Sequence, residues 1–318
     1  MSGEFSFIRS HLAPLSAGFP GALTLTDDAA ILPGPSGLDY VIASDMLVEE
    51  VHFHADTPPE IIAARALGTN LSDLAAMGAE PVAWLSSLAL GEACDTAWQG
   101  AFASACQDIQ HEHGLHLIGG DTTRTPGPLT VSLTLIGQMP QGTAITRSGG
   151  QVGDEVWVSG ELGEGVLGRI AYETHGVGSA PNRFTHPTAR LSLGQALRGI
   201  ATALIDISDG LVADLDHLAR ASGVALDIGA ELVPLSETGR SEAGEPDTRP
   251  WRRLVCGGDD YELAFLAPVD HREAIMAISA ALDVRLTPIG QARTGQGVRV
   301  HNAAGHLIKF ETTGFTHF

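Results

Sequence analysis

Lysine is all but absent from this sequence. Lys309 stands alone beside seventeen arginines. That excludes a P-loop, which needs a lysine after its glycines, and a protein-kinase fold, which needs one in a V-A-I-K strand. Cysteine is scarce too: Cys94, Cys106 and Cys256 are odd in number, contain no C-x-x-C, and read as reduced structural thiols. Positive charge is in deficit overall, with 38 acids against 18 bases and a net charge of -20. Such a surface repels phosphate backbones, so nucleic acid and anionic membrane are excluded as partners. It repels ATP as well unless metal ions reverse the local sign. No window approaches 18 uninterrupted apolar residues, so no membrane span is expected. The N-terminus, Met1-Ser-Gly-Glu-Phe-Ser-Phe-Ile-Arg, has an acid where a signal peptide has bases, and the expected location is the cytoplasm.

What is present is enough for a large core. The chain of 318 residues is 44% hydrophobic and 18% charged, which suits about two domains of roughly 150 residues. Asp39 to Asp45, Leu129 to Leu135, Asp154 to Ser159, Ile200 to Ile207 and Val224 to Ile228 read as strands. Thr57-Pro58-Pro59-Glu60 starts a helix with Thr57 as N-cap, and Gly78 stops it after Met77. Gly223 closes a second helix. Residues 235–250 read as a polar, mobile loop. Gln141 to Gly153 is rich in Gly, Thr and Ser and marks a boundary, giving domains 1–140 and 141–318. Strands and helices mix without strict βαβ alternation, which predicts an α+β class.

The chemistry lies in short acidic motifs. They are Thr26-Asp27-Asp28-Ala29, Ser44-Asp45, Gly119-Gly120-Asp121-Thr122-Thr123, Asp206-Ile-Ser208-Asp209-Gly210 and Gly257-Gly258-Asp259-Asp260-Tyr261. Asn70-Leu-Ser-Asp73 lies inside the predicted helix, where Asn70 and Asp73 share a face beside the Leu67, Leu71, Leu74 stripe. Asp73 therefore borders the buried side and needs a partner, of which a cation is one candidate. One Asp before Gly is most often a turn or a cap. Several, interleaved with hydroxyls, make a set of hard oxygen ligands suited to Mg²⁺. Glycines beside them let backbone N–H groups approach phosphate.

Other motifs are weaker. Gly163-Glu-Gly165-Val-Leu-Gly168 matches G-x-G-x-x-G, but no strand with a terminal acid follows about twenty residues on, so a Gly-rich strand-to-helix turn is the better reading. His52-Phe-His54, read as i,i+2 on a strand, would share a face for zinc, yet no third ligand is evident. His111 and His113 close a helix before Gly114, solvated or facing its dipole. The four tryptophans read as core or domain-boundary residues.

Taken in order, these segments resemble the thiamine-monophosphate kinase family, within the aminoimidazole ribonucleotide synthetase-like superfamily. The resemblance runs nearly end to end. It includes Gly3-Glu-Phe-Ser, Ser44-Asp-Met-Leu-Val-Glu with Val51-His-Phe, Thr146-Arg-Ser-Gly, and Gly314-Phe-Thr-His-Phe; Asn70 to Pro81 is specific to the kinase branch. It implies a two-domain α+β fold whose N-terminal domain pairs strands with its copy in a homodimer. It also implies direct transfer of the γ-phosphoryl of ATP to thiamine monophosphate. Residue by residue it implies Mg²⁺ ligation by Asp28, Ser44, Asp45, Asp73, Asp121, Asp206 and Asp209. ATP contacts would come from Gly120, Asp121, Arg147 and Ser208, and substrate contacts from His52, Asp259 and Thr312. The chain departs from the family pattern at Leu25-Thr-Asp-Asp and Ala189, and at Thr312, which takes the place of a common aromatic; Phe310 and Phe315 are the alternatives nearby.

Three relatives and one other class are rivals. A selenophosphate synthetase needs a reactive residue near the N-terminus, but the first cysteine is Cys94. A hydrogenase-maturation relative ends in cysteine, but this chain ends in Phe318. Aminoimidazole ribonucleotide synthetase stays open. A non-enzymatic acidic metal-binding protein would lack ATP turnover, and no EF-hand spacing supports it.

Overall fold

The cleanest alternation in the chain forms the centre of the first sheet. The structure, a computed structural model, describes residues 6, 8–35, 37–176, 178 and 182–315. Gly3-Glu-Phe and Thr316-His-Phe, cited above at the two termini, lie outside the described residues. Strand β5 (Thr130–Pro140) buries Val131, Leu133, Leu135 and Met139 on one face, as period-two patterning requires. It pairs antiparallel with β2 (Leu38–Val48) and with β3 (Glu80–Leu90). Outside β2 lies β1 (Ala30–Pro33), and β4 (His116–Arg124) runs parallel to β3 as the far edge. Every residue of β4 is exposed.

Helix α1 (Pro59–Ala76) is covered almost all round, with Ile62, Leu67, Leu71 and Leu74 in the core. A helix that is apolar on most faces must be buried on most faces. It packs on the first sheet and against α2 (Thr96–His113). Pro59 takes the first helical position, but the N-cap is Pro58 rather than Thr57. Thr57 is buried, and its hydroxyl is used in a tertiary hydrogen bond with Tyr172. Gly78, at φ +73°, turns the chain out of the helix after Met77.

The second sheet has the order β11-β8-β10-β6-β9-β7. Its strands are β6 (Glu155–Ser159), β7 (Ala203–Asp206), β8 (Ala225–Gly229), β9 (Leu263–Ala267), β10 (Leu286–Arg293) and β11 (Gly297–His301). β6, β7 and β9 are buried along their whole length, so both faces are covered. On one side, Leu211, Leu215 and Leu218 pack on Val156, Ile205 and Leu266. On the other, Leu193, Leu197 and Ile275 pack on Trp157, Leu204 and Phe265. Ala75 and Ala76, the last residues of α1, belong to that second core. The end of α1 is thus wedged against β7.

Among the described residues the remaining α-helices are α3 (Glu164–His175), α4 (Asn182–Thr185), α5 (Leu191–Ala196), α6 (Leu211–Ser222), α7 (Glu237–Ala243), α8 (Arg249–Val255) and α9 (Arg272–Leu282). Residues 235–250, read as a loop, contain α7 and the start of α8. Ser236 caps α7 by accepting from Gly239 N–H at 3.0 Å, and Thr248 caps α8 by accepting from Trp251 N–H at 3.3 Å. Buried Ala243 and Trp251 anchor the two short helices. His52 and His54 lie beyond the end of β2 in a turn, not on a strand. The α+β reading stands.

Gly194 of α5 sits on the Ala75 carbonyl, and a methyl group there would overlap that oxygen. Neither backbone can yield without moving α1. Gly194→Ala is expected to cost about 1–3 kcal/mol, seen as a lower denaturation midpoint in urea. An unchanged midpoint would mean that the α1–α5 contact is loose.

Candidate active site

Three segments far apart in the chain bring carboxylates together. Asp28 lies in the turn before β1, Asp73 in the last turn of α1 and Asp206 at the end of β7. One oxygen from each lies within 4.8 Å of the others. Like charges this close and shielded from water suppress one another's ionisation. Burial, helped by Asp28, pushes the Asp206 carboxyl up to about 8. Burial again, then Asp45 and Asp206, holds Asp73 well above the usual range. Asp45 is raised by burial against a Thr69 hydroxyl that donates to it, and Asp27 is raised to about 6 by burial and by Asp28.

Arg147 is the counter-charge. Its Nη2 donates to Asp28 Oδ1 at 2.6 Å, its Nε to Oδ2 at 3.2 Å, and its backbone N–H to Asp27 Oδ2 at 3.1 Å. Burial works against the guanidinium charge, but the paired Asp28 outweighs it and holds Arg147 protonated. The Asn-Leu-Ser-Asp motif divides its work in three. Asn70 Oδ1 accepts the Asp45 N–H at 3.1 Å, Ser72 donates to Asp206 Oδ2 at 2.6 Å, and Asp73 joins the cluster. One helix thereby registers β2 and β7 against each other. The three carboxylates are hard oxygen donors of the kind that Mg²⁺ takes, so the donor set fits such an ion.

A cavity of about 290 Å³ adjoins the cluster. Asp45, Asp73, Asp206, Ser208 and Asp209 line it, as do His52 and Asp259. His52 Nδ1 accepts the Val48 N–H at 3.0 Å, which fixes its ring over the turn. Among the expected site residues, these and Asp28 with Arg147 are brought together.

Four are not. The Ser44 hydroxyl lies on the opposite face of β2 from Asp45, donating to the Leu133 carbonyl at 3.1 Å and paired with Thr134. Gly120 and Asp121 sit on β4. The register Asp45–Leu133–Ser86–Gly120 crosses three strand spacings, about 14 Å at about 4.8 Å each. At that separation no single ion is ligated by both Asp45 and Asp121 of one chain. Thr312 lines a separate cavity with Arg249, Arg253 and Phe310, whereas Phe315 lines the cavity beside the acidic cluster.

Two glycine turns spend their amide groups internally. The N–H groups of Ser208, Asp209 and Gly210 all donate to Asp214 Oδ2, at 3.0 to 3.1 Å. Those of Gly163 and Gly165, at the start of α3, donate to Asp260. The turn that resembles G-x-G-x-x-G is filled by the protein's own carboxylate. Residues that pattern reading missed are Arg65, Tyr172 and Phe184, which also line the cavity. Only Arg65 left a signal: a lone base among apolar helix positions, which burial obliges to find a partner.

Residues 26–139 match the family model for the N-terminal domain of AIR synthase related proteins, and residues 151–302 match that for the C-terminal domain. The chain belongs to the AIR synthase related protein family. Within it, the chain is 38% identical over 303 residues to the thiamine-monophosphate kinase of Caulobacter vibrioides, covering 94% of this chain and 86% of that one. It is 36% identical to the thiamine-monophosphate kinase of Escherichia coli, covering 99% and 98%. A solved structure described as AaThiL complexed with AMPPCP and TMP superposes with a TM-score of 0.84 at 29% identity, covering 99% and 97%. That of the Stenotrophomonas maltophilia thiamine-monophosphate kinase gives 0.77 at 40%, covering 86% and 89%. Hydrogenase-maturation proteins at 17–20% identity share the fold.

The raised Asp206 carboxyl has a sign. Its protonated form stabilises the fold at low pH, and this contribution is lost as the pH rises from about 4 towards about 8. Chelator-treated protein is therefore expected to melt at lower temperature at pH 8 than at pH 5, and Asp206→Asn to flatten the slope. Equal slopes in parent and variant would remove Asp206 as the source.

Proposed function

We propose that this chain is a Mg²⁺-dependent kinase that transfers the γ-phosphoryl of ATP directly to thiamine monophosphate, giving thiamine diphosphate and ADP. The observation that carries the reading is the Asp28–Asp73–Asp206 cluster with Arg147 beside a cavity, in a chain alike over nearly its whole length to thiamine-monophosphate kinases. A protein that has one lysine and a net charge of -20 handles nucleotide phosphates through metal ions.

Asp28, Asp45, Asp73, Asp206 and Asp209 would hold the ions. Bound Mg²⁺ supplies neutralisation of phosphate charge. Arg147 and the Ser208 hydroxyl orient the nucleotide. His52, Asp259 and Phe315 line the acceptor side, where acidic groups suit the cationic thiazolium. The nucleophile is already a phosphate oxygen. It forms the new P–O bond as the bond between the γ-phosphorus and the bridging oxygen breaks, and ADP leaves; no general base is needed.

Gly120 and Asp121 enter this scheme from a second copy of the chain. Their strand, β4, is an exposed edge with unpaired backbone groups, and it presents Leu117 and Ile118 to solvent. A homodimer whose two first sheets meet at this edge and curve round to face each other, rather than continuing as one flat sheet, would carry Asp121 to the partner's cluster. The division into domains 1–140 and 141–318, with the first sheet before it and the second after, and a cytoplasmic location belong to the same proposal. Among the described residues no helix is long and apolar enough to cross a membrane.

Purified protein with ATP, thiamine monophosphate and Mg²⁺ should yield thiamine diphosphate by chromatography, and none without Mg²⁺. Asp73→Asn should lower turnover by at least about a thousandfold while leaving the apo fold intact. A variant close to the parent rate would remove Asp73 from the site. Mixing Asp73→Asn with Asp121→Asn protomers after partial denaturation should restore part of the activity, because one site of the mixed dimer then has both native residues. No recovery from verified mixed dimers would place Asp121 in its own protomer's site.

A further inference from the structure

The cavity contains a base that the phosphoryl chemistry does not use. Arg65 projects from α1 and is buried, with 5% of its surface exposed. Its Nη2 donates to Asp259 Oδ1 at 2.9 Å and its Nη1 to the Phe184 carbonyl at 2.6 Å. The guanidinium lies 4.4 Å from the centroid of the Phe184 ring. Its Nε is buried without a hydrogen-bond partner. An arginine kept only for stability would be expected to satisfy every buried donor, because an orphaned one is costly.

The group that Arg65 grips is itself held in an unusual backbone. Asp259 has φ +65° and Tyr261 φ +51°, both in the left-handed region that side chains disfavour. Such residues persist only where the surroundings over-determine them, and they concentrate at ligand sites. Here the turn is tied to the acidic loop: Asp259 N–H donates to the Ser208 carbonyl at 2.9 Å and Tyr261 N–H to the Ile207 carbonyl at 2.8 Å. The Tyr261 hydroxyl donates to the same Asp259 oxygen as Arg65, at 2.9 Å. Both donors converge on Oδ1, which leaves Oδ2 as the acceptor for a ligand in the cavity.

We infer that Arg65 is a positioning residue for the phosphate acceptor: with Tyr261 it locks Asp259 so that Oδ2 accepts from the amino group of a heteroaromatic ring in a cationic acceptor. This rests on the functional reading above. The planar guanidinium suits the task because it reaches the carboxylate, the Phe184 carbonyl and the Phe184 ring at once, which an ammonium group does not. The nucleotide side is anchored elsewhere, at Arg147 and the acidic cluster, so Arg65 separates the recognition of the two substrates.

The test compares Arg65→Met and Arg65→Lys with the parent in dissociation constants for thiamine monophosphate and for Mg-ATP, each measured by calorimetry. Circular dichroism verifies folding. The acceptor constant should rise by at least about tenfold in Arg65→Met, as loss of one charge-assisted hydrogen bond implies. It should rise less in Arg65→Lys, with the Mg-ATP constant within about twofold of the parent in both, since the guanidinium itself bonds to Asp259 and Phe184 and to none of the nucleotide or metal groups. Combining Arg65→Met with Asp259→Asn should weaken acceptor binding no further than Asp259→Asn alone, because the arginine acts through that carboxylate. If Arg65→Met does not fold, the lysine variant decides the matter. Parent-like acceptor binding in a folded variant, or equal losses for both ligands, would overturn the inference alone. A parent protein that bound no thiamine monophosphate would overturn the functional reading, and the inference with it.

Discussion

Mutual repulsion of buried carboxylates governs this structure. Asp28, Asp73 and Asp206 come from the first sheet, its helix and the second sheet, and nothing in a folding chain favours their approach for its own sake. Their proximity is imposed by packing. The end of α1 is fixed in the second core by Ala75 and Ala76, so Asp73 faces β7 whatever the electrostatic cost. Arg147 offsets part of that cost, and the raised Asp206 and Asp73 carboxyls record the rest. A small divalent cation, as the proposed function requires, would relieve that repulsion on binding.

The protein supplies anions even where its backbone could have bound them. Turns rich in glycine commonly cradle phosphate with free N–H groups. Here Asp214 takes three such groups and Asp260 takes two. Each internal carboxylate sets the shape of a turn that leads into a helix, α6 or α3. Each turn is thereby held in shape by the protein's own carboxylate, and under the proposed function phosphate recognition falls to cations: Arg147 and metal ions. This agrees with a chain that has almost no lysine. The charge on Asp259 is likewise balanced, by Arg65, rather than left open.

The legible part of the site was its chemistry. Asp73 could be placed beside an apolar stripe by helical spacing, and the structure puts it in the cluster. Ser72 and Asn70 were visible as neighbours of Asp73, but their partners, Asp206 and the Asp45 N–H, were not, because 134 and 25 residues separate them. Ser44 adjoins Asp45 in the sequence. Strand geometry sends adjacent side chains to opposite faces, and the Ser44 hydroxyl meets Thr134 instead. Thr312 and Phe315 lie three positions apart in an irregular tail, where no period says which one enters the cavity. Residues 235–250 looked like a loop because their helices are short, capped and polar outside, and only burial of Ala243 and Trp251 reveals them.

Composition and local order determined the α+β class, the strand at Leu129 to Leu135, the helix ending at Gly78 and the reliance on carboxylates in place of lysine. These follow from short-range rules: alternation, helical periodicity, the left-handed freedom of glycine and the charge count. Tertiary structure alone decided which carboxylates share a site, that Arg147 neutralises Asp28, that Arg65 reaches Asp259, and that Asp121 stands three strands from Asp45. Those facts depend on strand order and on the wedge of α1 against β7. Both are set by side-chain packing between segments far apart in the chain, and local periodicity carries no record of it.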